Sequence, residues 1–163
     1  MPASNARTSA ALTVTTPTER EIVMTRVFDA PRRLVFEAMT KPEHLVRWFG
    51  PHGWMLAVCQ MDFRPAGGWR FVLRGPDGAE MGMRGVYQEI TPPERFVSTE
   101  SFDDYPGESL NTLIFSEEGG KTTFTIAVLY ASSEIRDAVI RSGMERGAGE
   151  CYDRLAEHLG GIA

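Results

Sequence analysis

Glu100 stands in the run "RFVSTESF", where Phe96, Ser98, Glu100 and Phe102 fall on one side of an alternating pattern. In a half-buried strand that side is the apolar one, so the alternation aims a carboxylate inward. An inward carboxylate needs a partner or a raised pKa, and such groups collect at functional sites. The readings open for Glu100 are a salt bridge to an arginine, a bulge that turns it outward, recognition of a ligand, or general acid/base work. Asn111, Tyr87 and Tyr105 are weaker candidates for polar contacts beside it.

The other chemistry-bearing residues carry less. His52, between Pro51 and Gly53, has no nucleophile or paired carboxylate near it in sequence and reads as an exposed loop residue. His44 falls on a short helix and His158 near the end of the last one, where a cation suits the helix dipole. These histidines and the two cysteines, Cys59 and Cys151, fit no metal-ligand spacing, so neither a metal nor a cofactor is expected. Asp62 and Arg64 in "DFRPAGGW" read as a turn brace, and "GPDG" as a hairpin tip. No GxSxG, phosphate loop or dinucleotide fingerprint is present, and no catalytic residue is assigned.

The elements that must position Glu100 follow from periodicity and punctuation. "REIVMTRVF" alternates as a strand, and Pro31 suits the first turn of a helix over "RRLVFEAMT" with Leu34, Val35, Ala38 and Met39 on one face. Thr40 is expected to cap a second short helix over residues 41–48, with Pro42 and Glu43 in its first turn. After Gly53 the period changes. The runs "WMLAVCQMDF", "GWRFVLR", "EMGMRGVYQEI", "ERFVSTESF", "ESLNTLIFSE" and "KTTFTIAVLY" read as strands joined by short Gly-, Pro- and Asp-bearing turns, which predicts an antiparallel meander. Trp69, Phe71 and Leu73 then share a face, as do Met81, Met83 and Tyr87, although Gly85 could mark a bulge that resets the phase. Asn111, Leu113 and Phe115 align on the next strand but one, and Phe124, Ile126, Val128 and Tyr130 on the last.

"SSEIRDAVIRSGMERGAGECYDRLAEHL" predicts one long amphipathic helix, capped by Ser132 or Ser133 and ended by Gly160-Gly161. Gly143, Gly147 and Gly149 inside it each cost about 1 kcal/mol against alanine. Either the helix backbone approaches a facing element closely there, or side chains are absent to leave space.

The 163 residues suit one domain, residues 21–160, behind a flexible tail over residues 1–20. A net charge of -5 with scattered arginines argues against nucleic acid. The start lacks a signal-peptide pattern and no apolar run approaches a membrane span, so a cytoplasmic protein with reduced thiols is expected.

The chain from about residue 20 to 159 resembles the SRPBCC (START-like, birch-pollen-allergen-like) superfamily. Within it, the match is to the branch similar to the C-terminal domain of the heat-shock-protein-90 ATPase activator. The segments that carry it are "RVFDAPRRLVFEAMTKPEHLVRWFGP", "MDFRPAGGWRF", "GPDG", "GVYQEITPPERFVSTESF" and "SSEIRDAVIRSGM". The resemblance implies an α+β helix-grip fold: a strand, two short helices and a six-strand meander, wrapped around a long C-terminal helix. It also implies binding of a small hydrophobic or aromatic molecule in a cavity between sheet and helix. The expected lining is Met39, Trp48, Phe49, Trp54, Trp69, Phe71, Met83, Tyr87, Glu100, Phe102, Asn111, Phe115 and Met144, with Trp48 and Phe49 closing one end. Two other functions belong to the family. One is stimulation of a chaperone, but the namesake also has an N-terminal chaperone-binding domain that a tail of about twenty residues does not replace. The other is cyclase- or hydrolase-type catalysis, which no nucleophile–base pair in the sequence supports. A homodimer is a reasonable expectation.

Overall fold

The structure, a computed structural model, describes residues 12–162. The alternating runs become one eight-stranded antiparallel sheet in the order β1-β2-β8-β7-β6-β5-β4-β3. In chain order these are β1 (Thr13–Thr15), β2 (Glu21–Phe28), β3 (Met55–Met61), β4 (Gly68–Arg74), β5 (Glu80–Thr91), β6 (Arg95–Phe102), β7 (Glu108–Glu118) and β8 (Lys121–Leu129). Strands β3 to β8 form the expected six-strand meander, and β2 closes it by pairing with β8. The expected tail is cut short: Thr13–Thr15 pair with Val23–Thr25 as an edge strand. Three residues are too few for alternation to stand out from a Thr-rich stretch. The rest of the expected tail, residues 1–11, lies outside the described residues.

Two helices, α1 (Arg32–Thr40) and α2 (Pro42–Trp48), fill the link from β2 to β3. Thr40 does not cap α2. Its hydroxyl donates to the Phe36 carbonyl at 2.8 Å, and Lys41 stands between the helices in an extended conformation. The pyrrolidine ring of Pro42 disfavours helical geometry at the residue before it, which separates the two helices.

The C-terminal segment is two helices, α3 (Ser133–Arg141) and α4 (Met144–Ile162). Ser132 caps α3 as expected, its hydroxyl accepting from the Ile135 N–H at 3.2 Å. The single long helix of the sequence reading is broken at Gly143, which has φ +83, a left-handed conformation open to glycine at little cost. At the other end α4 continues through Gly160 and Gly161 to Ile162.

α4 packs against α1 and α2, with Leu155 and Leu159 fully buried. Under α1 the inner face of the sheet is filled by aromatic rings. Phe36 meets Phe96 and Phe115 edge-on at 5.9 and 5.2 Å, Phe63 meets Phe96 and Tyr87 at 5.4 and 4.9 Å, and Phe115 meets Phe124 at 5.3 Å. That half of the interior is closed. The other half lies under the start of α4, where Met144, Ala148, Cys151 and Tyr152 are only half-buried.

Candidate functional site

Glu100 points inward, as the alternation of β6 requires, and is half-buried beside buried Phe96 and Ser98. Strand register builds a row around it. Glu100 pairs with Ser109 on β7. On its other side Gly85 of β5 lies between the pairs Arg84–Ser101 and Tyr87–Ser98, and Gly85 pairs in turn with Trp69 of β4. Gly85 is not the bulge that its composition suggested. The extra residue of β5 falls between Tyr87 and Glu89. Gly85 instead makes room: a Cβ there would stand 1.9 Å from the Thr99 carbonyl oxygen and 2.4 Å from Trp69 Nε1. The Trp69 indole lies over this gap, and its N–H is sealed from solvent without a hydrogen-bond partner.

Burial pushes the Glu100 carboxyl up to about 7, against a partial pull downward from Asn111. The Asn111 carbonyl accepts from the Ser109 hydroxyl at 3.0 Å, which leaves its amide as the donor that faces Glu100. Two phenols complete the surroundings. Tyr130, just beyond β8, and Tyr152 of α4 are both raised by burial first, and the Glu100 charge adds to the shift in each. Among the described residues no cation acts on Glu100. The salt-bridge reading of this residue therefore fails, and no bulge turns it outward. The inward arginine of the sheet, Arg26 of β2, is paired with Asp153 of α4.

The helix glycines face openness, not a close neighbour. A Cβ added at Gly147 or Gly149 would meet nothing within 4 Å, although both positions are half-buried. Close approach of another backbone, the first of the two explanations open from sequence, does not account for them. Among the described residues only Arg26 Nε and Trp69 Nε1 are buried side-chain polar atoms without a hydrogen-bond partner.

The residues expected to line a cavity divide between the two halves. Trp69, Met83, Glu100, Phe102 and Asn111 lie on the neighbouring strands β4 to β7, with Trp69, Met83 and Asn111 buried and Glu100 and Phe102 half-buried, and Met144 of α4 packs against the same core. Met39, Tyr87 and Phe115 are buried in the closed aromatic half. Trp48 is an anchor: its indole N–H donates to the Ala38 carbonyl at 2.9 Å, and its ring contacts Phe49 and Tyr152. Phe49 meets Phe71 at 5.3 Å, and Phe71 meets Trp69 at 4.8 Å, which links this corner to the inner face of β4. Trp54 covers Gly75 at the sheet's end, where a Cβ would come within 2.6 Å of its ring. Tyr105 is exposed, with its ring edge-on to Phe102 at 6.3 Å.

Alternation aligns Tyr130 with the inward residues of the last strand, yet neither Tyr130 nor Tyr152 stands out from the sequence as a polar neighbour of Glu100. The loop Gly50–Trp54 is pinned to α4 by another residue without a sequence signal. Arg154 Nη1 donates to the Gly50 and Trp54 carbonyls at 2.8 and 2.9 Å. The Gly50 N–H donates to Cys151 Sγ at 3.3 Å and the His52 N–H to Glu150 Oε1 at 3.1 Å. Burial raises the Cys151 thiol to about 11, which leaves it a poor nucleophile at neutral pH. Asp62 and Arg64 form the expected turn brace at 2.8 Å. Two surface hollows, of about 550 and 420 Å3, lie elsewhere. One is bounded by Thr18–Glu21 and Leu129, the other by Arg33, Phe36, Lys41, Phe63 and Pro92-Pro93.

A curved antiparallel sheet closed by a C-terminal helix, with the aromatic corner at residues 48–54, is the geometry of the helix-grip fold. The family described as "Activator of Hsp90 ATPase homolog 1-like protein" matches residues 29–160. The chain belongs to this family. Solved structures of similar proteins agree with its fold. A Rhodobacter sphaeroides protein is 30% identical over 93% of this chain and 99% of its own, with a TM-score of 0.89. A Mycobacterium smegmatis protein is 25% identical over 93% of this chain and 99% of its own, with a TM-score of 0.83. A Nitrosomonas europaea protein, 23% identical with a TM-score of 0.81, covers 90% of this chain and 98% of its own and shares the fold. No curated protein matches. Among the described residues of this family member, no helix is long and apolar enough to cross a membrane.

Proposed function

We propose that the open half of the interior, between the start of α4 and strands β4–β8, binds a small apolar or aromatic molecule. Glu100 is its polar anchor. The observation that carries this reading is an inward carboxylate that no cation among the described residues pairs, with Phe102 on its face of β6 and Asn111, Tyr130 and Tyr152 beside it. An apolar interior with a few convergent polar groups and one perturbed carboxyl is the usual form of a small-molecule site. The two surface hollows are weaker candidates, because neither contains an inward polar group of this kind.

Thermal-shift and native mass-spectrometry screens with aromatic and lipid-like compounds test the reading. Binding should stabilise the wild type and be lost in Ala148→Phe, which fills the space under α4. Stabilisation that survives Ala148→Phe unchanged would place the ligand elsewhere. The family description favours a second reading, action on a chaperone ATPase. An unchanged ATPase rate of the chaperone with this protein in excess would remove it.

A further inference from the structure

We propose that the ligand is an amine, whose protonated nitrogen pairs with the Glu100 carboxylate while its apolar body lies between α4 and the sheet. This rests on the reading of the site above and names the chemical class it takes. Among the described residues the groups shown beside Glu100 carry no positive charge: Ser109 and Asn111 from β7, Tyr130 beyond β8, and Tyr152 from α4. The one inward arginine on the neighbouring part of the sheet, Arg26, is already engaged by Asp153 and does not complete the set.

The site is also short of donors. A carboxylate has room for about four hydrogen bonds, and an alkylammonium supplies three donors. Glu100 is offered the Asn111 amide alone as a strong donor, since the Ser109 hydroxyl is spent on Asn111. An ammonium supplies both the missing charge and the missing hydrogen bonds. A ligand acid would instead place like charge against Glu100. A neutral alcohol would supply one donor and no charge.

Proton linkage separates these classes. A free carboxyl that titrates near neutral pH is partly protonated at pH 7. An ammonium partner draws it into the ionised form, so binding releases protons. A carbonyl-bearing ligand that accepts from the carboxylic acid would take protons up.

Isothermal titration at pH 7, in two buffers of different ionisation enthalpy, tests this with shape-matched pairs. These are tryptamine and tryptophol, 2-phenylethylamine and 2-phenylethanol, and hexylamine and hexanol. The amine of at least one pair should bind tenfold or more tighter than its alcohol and release protons. Glu100→Gln should erase that preference while it still binds the alcohol. Alcohols that bind as tightly as amines, or proton uptake on binding, would overturn the amine assignment and leave the site standing. Failure of all six compounds to bind would overturn the site and the amine assignment together.

Discussion

Replacing Glu100 by glutamine should make the protein more stable, and only above the pH at which the carboxyl ionises. Glutamine keeps the shape and removes the charge. The Glu100 carboxyl is moved from 4.5 to about 7. At 1.36 kcal/mol per pH unit, ionising it in the fold costs about 3 kcal/mol, an upper bound because the group is half-buried. The sign is fixed by the direction of the shift. Between 4.5 and about 7 the folded chain holds more proton on this group than the unfolded chain. Stability from the group is therefore present below the lower value and lost as pH rises through the upper one. At pH 4.5 wild type and Glu100→Gln should differ by no more than about 0.5 kcal/mol. At pH 8 the variant should be stabler by up to about 3 kcal/mol, on the order of 8 °C in Tm for a chain of this size. Thermal unfolding from pH 4.5 to 8.5 measures the gap. A difference that stays constant across that range would show that Glu100 is not an uncompensated inward carboxylate.

Three other substitutions test the frame. Gly149→Ala should raise stability by about 1 kcal/mol through helix propensity alone, whereas Gly143→Ala should lower it by about 1 kcal/mol, since left-handed backbone disfavours a Cβ; melts that move in the same direction would refute the helix break. Gly85→Ala should destabilise by more than about 2 kcal/mol and shift Trp69 fluorescence, because its Cβ collides with a backbone oxygen; a neutral outcome would remove the seat of the indole. His44 Nδ1 and His158 Nε2 are 2.9 Å apart, and burial first, then His44 and Arg47, hold His158 below the ordinary imidazole range. The stability from this pair is present above the unfolded value and lost as pH falls through the folded one, so wild type should lose ground to His158→Gln between pH 7 and 5 in denaturant titrations. A pH-independent difference would contradict that.

Much of the frame was legible in the chain. Period-two alternation located the meander and the inward side of β6, because a strand with one buried face must alternate. What alternation could not locate were events one residue wide. The break at Gly143 is a choice between two local conformations of glycine, and the sequence there continues the helical spacing without interruption. Gly85 reads alike as a bulge or as a seat, and only the register and the Trp69 indole distinguish them. His158 looked suited to a cationic role at a helix end, but its orientation against His44 depends on how α2 and α4 cross. Which candidates pack under α1 had the same origin. Phe115 shares its type with Phe102, and only the packing of α1 over one end of the sheet brings Phe36 against the first and not the second.

The central claim is that the space beside Glu100, and not a surface hollow, receives the ligand. Methionine methyl groups report on it from both sides. In a spectrum of protein labelled with 13C at the methionine methyls, titration with 2-phenylethylamine should shift Met83 and Met144. Met39, in the closed half, and exposed Met55 should stay still. Shifts confined to Met39, whose helix borders the hollow at Phe36 and Phe63, or to Met55, would contradict the account.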